Sequence, residues 1–173
     1  DKHRLVPLGE WIPGWIGSHL SGLSAVGGLE SGDASRLLQW SGPAASVSIC
    51  YELSNGYGNS QAIQDGAKWI LAVANLDPYP LLLQKQFLSI AQLRSIESSR
   101  DLVSVANTGP SVLVSANGRV QPVIKPLSEG IEVTDVHFYD AITGYVKWRE
   151  LPLFLGLIFG LIGGRRRLYK IEK

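Results

Sequence analysis

The chain has 173 residues and a mass of 18.8 kDa, the size of one domain, and its 45% hydrophobic content both supports a sizeable core and excludes intrinsic disorder. A single cysteine excludes an internal disulfide framework and any multi-cysteine zinc site. The net charge of +1 is uneven: residues 165–173 hold five basic side chains and one acidic one, which leaves a net-acidic body that is a poor partner for nucleic acid.

No methionine is present and Asp1 comes first, so the sequence reads as a processed product or a piece of a longer protein. Residues 14–46 are rich in Gly, Ser and Leu, and Gly27-Gly28, Ser31-Gly32-Asp33 and Ser41-Gly42-Pro43 are turn signals. This stretch is predicted as a long excursion with one short helix at most. Val47–Cys50 is a short β-type run, and 61–67 is predicted helical, ended by Gly66. The continuous apolar run 69–74 (WILAVA) predicts a strand buried on both faces. After Pro78 and Pro80, residues 81–99 have helical period, with Leu83, Phe87, Ile90 and Ala91 on one face and Lys85, Gln92, Ser95 and Ser99 on the other. Residues 102–106 and 112–115 are predicted strands, Asn117-Gly118 is a hairpin turn, 119–124 is the returning strand, and 131–138 is a last strand. This order gives an α/β domain with a mixed sheet.

Residues 151–164 (LPLFLGLIFGLIGG) contain no polar side chain. At ~1.5 Å per residue they reach about 21 Å, short of a ~30 Å hydrocarbon core, which fits a buried or interfacial helix. Four glycines, the lack of any polar face and the Arg165-Arg166-Arg167 cluster fit instead a membrane segment ending in cytoplasm, with Lys147, Trp148 and Arg149 before it.

Among chemistry-bearing residues, Cys50 stands out. A lone cysteine is commonly a small buried hydrophobe. At the end of a strand and the start of a turn, it is also placed to act as a nucleophile. His3, His19 and His137 are too scattered to suggest a metal site.

KHRLVPLGEWIP at 2–13, ICYE at 49–52 and LRSIESSRDLVSVANTG at 93–109 resemble the carbon–nitrogen hydrolase (nitrilase) superfamily. Within it, the K-x-x-L-V-P-x-G-E-x-x-P form, Cys-Tyr-Glu, and the Thr143-Gly144-Tyr145 segment leading to Leu151-Pro152 and a terminal apolar helix are similar to the apolipoprotein N-acyltransferase family. The resemblance implies a nitrilase-like αββα sandwich, present as its C-terminal portion over 1–140, then a juxtamembrane segment at 141–150, one transmembrane helix at 151–164 and a basic cytoplasmic tail at 165–173. It implies a Glu-Lys-Cys triad in which Cys50 is the nucleophile and Lys2 the lysine. The general-base glutamate would lie upstream of this sequence. Glu10 matches a second glutamate that supports the lysine, Tyr51 and Glu52 match residues that shape the site, and Asn75 opens a substrate-contacting loop.

The implied activity moves a fatty acyl chain from a phospholipid, through a cysteine thioester, to the S-diacylglyceryl-cysteine of an apolipoprotein, without cofactor or metal. The implied setting is the bacterial inner membrane, with the catalytic domain on the periplasmic side. The family pattern Asn-Asp-Ala-Trp-Phe-Gly reads Asn75-Leu76-Asp77-Pro78-Tyr79-Pro80 here, and a Gln-His pair reads Gln86-Phe87. An amidase-type hydrolase of the same superfamily and a catalytically dead, membrane-anchored binding module are the alternatives.

Overall fold

The computed structural model describes residues 37–171, with side chains through Ile162. Its centre is a six-stranded sheet in sequence order: β1 (Leu37–Leu38), β2 (Ala45–Ile49), β3 (Trp69–Ala74), β4 (Leu102–Ala106), β5 (Ser111–Val114) and β6 (Val120–Ile124). β2, β3 and β4 are parallel, while β1 and the β5–β6 hairpin are antiparallel additions at the two sides. Parallel neighbours need crossovers. These are α1 (Gly56–Gln64), between β2 and β3, and α2 (Leu81–Ser98), between β3 and β4.

Both helices pack on one face of the sheet. Ala62 and Ile63 of α1 and Ala91 of α2 meet Ile70, Ala72, Leu102, Val112 and Val114 in a single buried cluster. On the other face Trp69, Leu71 and Val73 are only half-buried, so WILAVA alternates where burial on both faces was expected. The described residues thus form one helix layer on one sheet, a mixed α/β arrangement; the second half of an αββα sandwich is not among them.

Four expectations are corrected in detail. β2 ends at Ile49, so Cys50 already lies in the 3-10 turn Cys50–Ser54. α1 starts at Gly56, not 61, because Asn55 caps it by accepting the Tyr57 N–H at 3.2 Å. Two glycines in its first turn hide that start from helix propensity. A Cβ at Gly56 would crowd Arg94 Nη1 and the Tyr145 hydroxyl, so both side-chain ends would have to shift. On α2 the buried set is Ala91, Arg94, Ser95 and Ser98. Ser95, expected to face outward, is fully buried because its hydroxyl reaches the carbonyls of Arg100 (2.8 Å) and Val114 (3.2 Å).

The fourth correction concerns 131–138, which forms no strand. The extended segment there is tied to the domain by side chains. Buried Asp101 accepts from the His137 N–H at 2.9 Å, and buried Arg100 donates to the Ala141 carbonyl at 2.9 Å. Ile131 and Val133 stay almost fully exposed at 97% and 94%, so nothing described completes a β ladder on them.

The chain then forms α3 (Gly144–Trp148), capped by the Thr143 hydroxyl, and α4 (Leu151–Ile171). Val146 of α3 is fully buried in the core, and Gln64 donates to its carbonyl at 2.6 Å. α4 spans about 31 Å at ~1.5 Å per residue. Among the described residues no helix is long and apolar enough to cross a membrane, which corrects the expectation of a full transmembrane helix. The cause is in the sequence: only 14 apolar residues precede Arg165, Arg166 and Arg167.

Candidate active site

The parallel strands β2, β3 and β4 end side by side, with Ile49 opposite Val73 and Ala74 opposite Ala106. In open α/β sheets, ligands bind where the carboxyl ends of parallel strands leave a crevice. Such a crevice is present, an open cleft of about 570 Å³ lined by Ile49, Cys50, Val73, Ala74, Asn75, Val105, Ala106 and Asn107.

Cys50 enters this cleft in a left-handed backbone conformation, with φ of +55°. For a residue with a Cβ this is a sparsely populated region, and such strain persists only where surrounding contacts enforce it. Glu52 supplies one of them. Its carboxylate accepts the N–H of Ile49 at 2.8 Å, and its own carbonyl accepts the N–H of Asn55 at 2.9 Å. The Ser54 hydroxyl donates to the Tyr51 carbonyl at 2.7 Å. The turn Cys-Tyr-Glu-Leu-Ser is therefore bound to itself at several points, and Cys50 is partly exposed at its start.

Asn75, at the end of β3, accepts from the Asp77 N–H at 3.1 Å and from the Asn107 side-chain amide at 2.8 Å. Asn107, at the end of β4, accepts from the Leu76 N–H at 2.9 Å. The two asparagines close the mouths of adjacent strands and fix the start of the 75–80 loop. Asn107 lies within a segment that carried the family resemblance but had no role assigned to it. Its signal was the repeat Val73-Ala74-Asn75 and Val105-Ala106-Asn107.

A second pocket of about 230 Å³ lies beside the cleft, lined by Tyr51, Ser54, Tyr79, Leu83, Gln86, Phe87 and Ile90. It is mostly apolar, and Leu81 and Leu82, at the start of α2, are exposed. Burial is the main cause that pushes the Tyr79 phenol above its ordinary value, with the charge of Cys50 a smaller one. Tyr79 was not among the expected site residues.

The structure thus brings Cys50 and Asn75 together in the cleft, while Tyr51 lines the second pocket and Glu52 braces the turn that carries Cys50. Lys2 and Glu10 lie outside the described residues, as do His3, His19 and most of the 14–46 excursion.

No family model matches the chain. It is similar to a protein named apolipoprotein N-acyltransferase from Prochlorococcus marinus (strain MIT 9313), 62% identical over 94% of this chain and 33% of that protein. A protein of the same name from Parasynechococcus marenigrum (strain WH8102) is 54% identical over 85% of this chain and 32% of the relative. One from Thermosynechococcus vestitus (strain NIES-2133 / IAM M-273 / BP-1) is 32% identical over 91% and 32%. The chain spans about a third of the length of these curated relatives.

Among solved structures, the chain is similar to an amidase of the nitrilase superfamily from Nesterenkonia AN1, with a TM-score of 0.53 at 17% identity over 91% of this chain and 55% of the other. Another structure of that amidase, a mutant with a covalent adduct of fluoroacetamide's acetamide moiety at its active-site cysteine, gives a TM-score of 0.53 at 18% identity over 90% and 54%. At these identities the likeness establishes a shared fold.

Proposed function

Because the chain belongs to the apolipoprotein N-acyltransferase family over the third of its relatives' length that it spans, we propose that it carries the nucleophile of a lipoprotein N-acyltransferase. The observation that carries this reading is the placement of the sole cysteine. It sits at the carboxyl end of a parallel strand, in a strained turn, at the edge of a cleft. The covalent adduct on the cysteine of the Nesterenkonia amidase supports the same use of Cys50.

In the first step the Cys50 thiolate attacks the ester carbonyl of a phospholipid. The acyl C–O bond breaks, the lysophospholipid alkoxide takes a proton, and an acyl thioester remains. In the second step the amino group of an S-diacylglyceryl-cysteine attacks that thioester. The C–S bond breaks, an amide forms, and the amine proton passes to the general base. Splitting one acyl transfer into two steps is the gain of covalent catalysis.

Lys2 stabilises the oxyanion of each tetrahedral intermediate, and Glu10 orients Lys2. Glu52 holds the nucleophile's turn, Tyr51 walls the apolar pocket, and Asn75 holds the loop over the cleft. The general-base glutamate comes from outside these 173 residues, so the chain alone lacks full activity, by roughly 10²–10⁴ in rate for that group.

The substrates' lipid character accords with the apolar pocket, with exposed Leu81 and Leu82, and with α4, whose residues 151–162 are all exposed. The apolar first two-thirds of α4 lies against the bilayer, and the arginines that follow it hold to the charged lipid surface.

The test is a chimera in which this chain replaces the matching third of the Prochlorococcus marinus (strain MIT 9313) relative, expressed in cells depleted of their own enzyme. Lipoproteins with an N-acylated terminal cysteine, lost on Cys50→Ala, are the expected product. Lipoproteins that stay diacylated despite a correctly inserted chimera would overturn the reading. Release of free fatty acid in place of transfer would assign the chain to the hydrolases.

A further inference from the structure

The body and α4 meet at a strained joint. Arg149, the residue after α3, has a φ of +49° and a ψ of −130°, an uncommon backbone for a residue with a Cβ. Its N–H donates to the Tyr145 carbonyl at 2.7 Å, and its guanidinium carbon lies 3.8 Å from the centre of the Tyr57 ring on α1. Two residues earlier, the Lys147 ammonium lies 5.4 Å from the centre of the Trp148 ring. Tyr57 and Trp148 are 49% and 52% exposed, so both cation–aromatic pairs stand at the surface. An aromatic ring takes up the face of a guanidinium and leaves its N–H edge open. Among the described residues no carboxylate pairs with Lys147 or Arg149. The nearby Glu150 carboxylate accepts the Tyr145 hydroxyl at 3.0 Å, and Glu97 pairs with Arg94.

We infer that Lys147, Trp148 and Arg149 form a contact surface for phospholipid headgroups, in which the two cations bind lipid phosphate and Trp148 sits at headgroup level. The inference rests on the reading of α4 as a helix that lies against the bilayer. Residues 151–162 are all apolar and all exposed, so they go where acyl chains are. The residues just before them then reach the layer where the phosphates are. Aromatic rings with a polar edge and long basic side chains favour that layer. The planar fork of Arg149 can grip a phosphate with two hydrogen bonds. The rings also hold both cations in place before lipid arrives, which lowers the entropy lost on binding. Tyr57 lies in the first turn of α1, directly after the turn that carries Cys50. A headgroup bound at Arg149 therefore fixes the body, and with it the cleft end of the sheet, close to the lipid.

The test is flotation of the 173-residue chain with two kinds of vesicle that share acyl chains and differ in headgroup. Phosphatidylcholine carries a phosphate but no net charge, and digalactosyldiacylglycerol carries neither. Without net charge the vesicles exert no bulk attraction on basic residues, so the difference between them reads the phosphate contact. The unchanged chain is expected to bind phosphatidylcholine about tenfold more tightly than the galactolipid. Lys147→Gln plus Arg149→Gln should bring phosphatidylcholine binding down to the galactolipid level and leave galactolipid binding as it was. Arg149→Lys keeps the charge and loses the fork, and should weaken binding to phosphatidylcholine alone by about threefold. Arg119→Gln plus Lys125→Gln removes the same charge from exposed positions of the body and should change neither.

Equal binding of the unchanged chain to the two vesicles would overturn the inference, and that comparison needs no variant to fold. An equal loss on changing Arg119 and Lys125 would overturn it too, as would release from phosphatidylcholine by millimolar inorganic phosphate, which would assign the site to a free anion. A chain that floats with neither vesicle would contradict the bilayer reading of α4 itself, and the inference would fall with it. Binding to both vesicles without preference leaves that reading standing and removes only the headgroup contact.

Discussion

Val73-Ala74-Asn75 and Val105-Ala106-Asn107 are the same tripeptide, and they end two neighbouring parallel strands in register. Only the asparagines leave the ladder, and each spends its amide on the loop that follows. Asn107→Ala removes the partner of the Leu76 N–H and of Asn75. It should cost about 1–2 kcal/mol in denaturant unfolding and speed hydrogen exchange at Leu76. Unchanged exchange at Leu76 would show that the loop is held otherwise. Cys50 and Glu52 were legible at this scale because the motif Cys-Tyr-Glu is local. The hydrogen bond from the Ile49 N–H to the Glu52 carboxylate closes over three residues. Tyr79 was not legible, because its place in the second pocket depends on how the loop after β3 folds back, which no local spacing encodes.

At the scale of elements, the parallel core was readable. Strand 69–74 and the long helix beginning at Leu81 stand where apolar patterning puts them. The segment 131–138 shows the limit of that patterning. Its alternation is that of a strand, yet a strand needs a neighbour with free backbone groups, and β6 does not pair with it. Its fastening by Arg100 and Asp101 depends on burial of two charged side chains, and sequence alone places such residues outside. Buried Arg100 donates to the carbonyls of Ala67, Ser98, Ser99 and Ala141, and Asp101 accepts from the N–H groups of Ala116 and His137. Asp101→Asn strips one acceptor oxygen and should cost about 1–3 kcal/mol, with earlier proteolytic cutting between 125 and 143. Equal stability and equal proteolysis would remove Asp101 from this role. Nearby, hydrogen bonding and charge from Lys68 hold the exposed Asp140 carboxyl below its ordinary value. A carboxyl depressed in the folded state stabilises at neutral pH, and its contribution disappears as pH falls below about 4. Asp140→Asn should therefore flatten the acid limb of the stability profile slightly; an unchanged limb would place the acid sensitivity elsewhere.

Over the whole molecule, the fold divides into a body that buries its apolar residues and a helix that does not. Val146, fully buried, and Gln64, which donates to its carbonyl, fix the exit of the chain from the body. Arg149 stacks 3.8 Å over the Tyr57 ring at the same junction. Beyond it, Leu153, Phe154, Leu157, Ile158, Phe159 and Leu161 are all exposed, a surface that only an apolar medium or partner covers. If that medium is lipid, the chain should float with anionic vesicles and lose most of that binding on Leu157→Glu plus Phe159→Glu, with secondary structure of the body unchanged. Binding unaffected by the two glutamates would move the membrane contact to another surface. The central claim, that Cys50 carries the acyl group, is tested most directly by mass spectrometry of the chimera with the Prochlorococcus relative after incubation with phospholipid and no amine acceptor. The account predicts a hydroxylamine-sensitive acyl adduct on the peptide containing Cys50, discharged when a diacylglyceryl-cysteine peptide is added. An adduct that persists in Cys50→Ala, or transfer to the peptide by that variant, would contradict it.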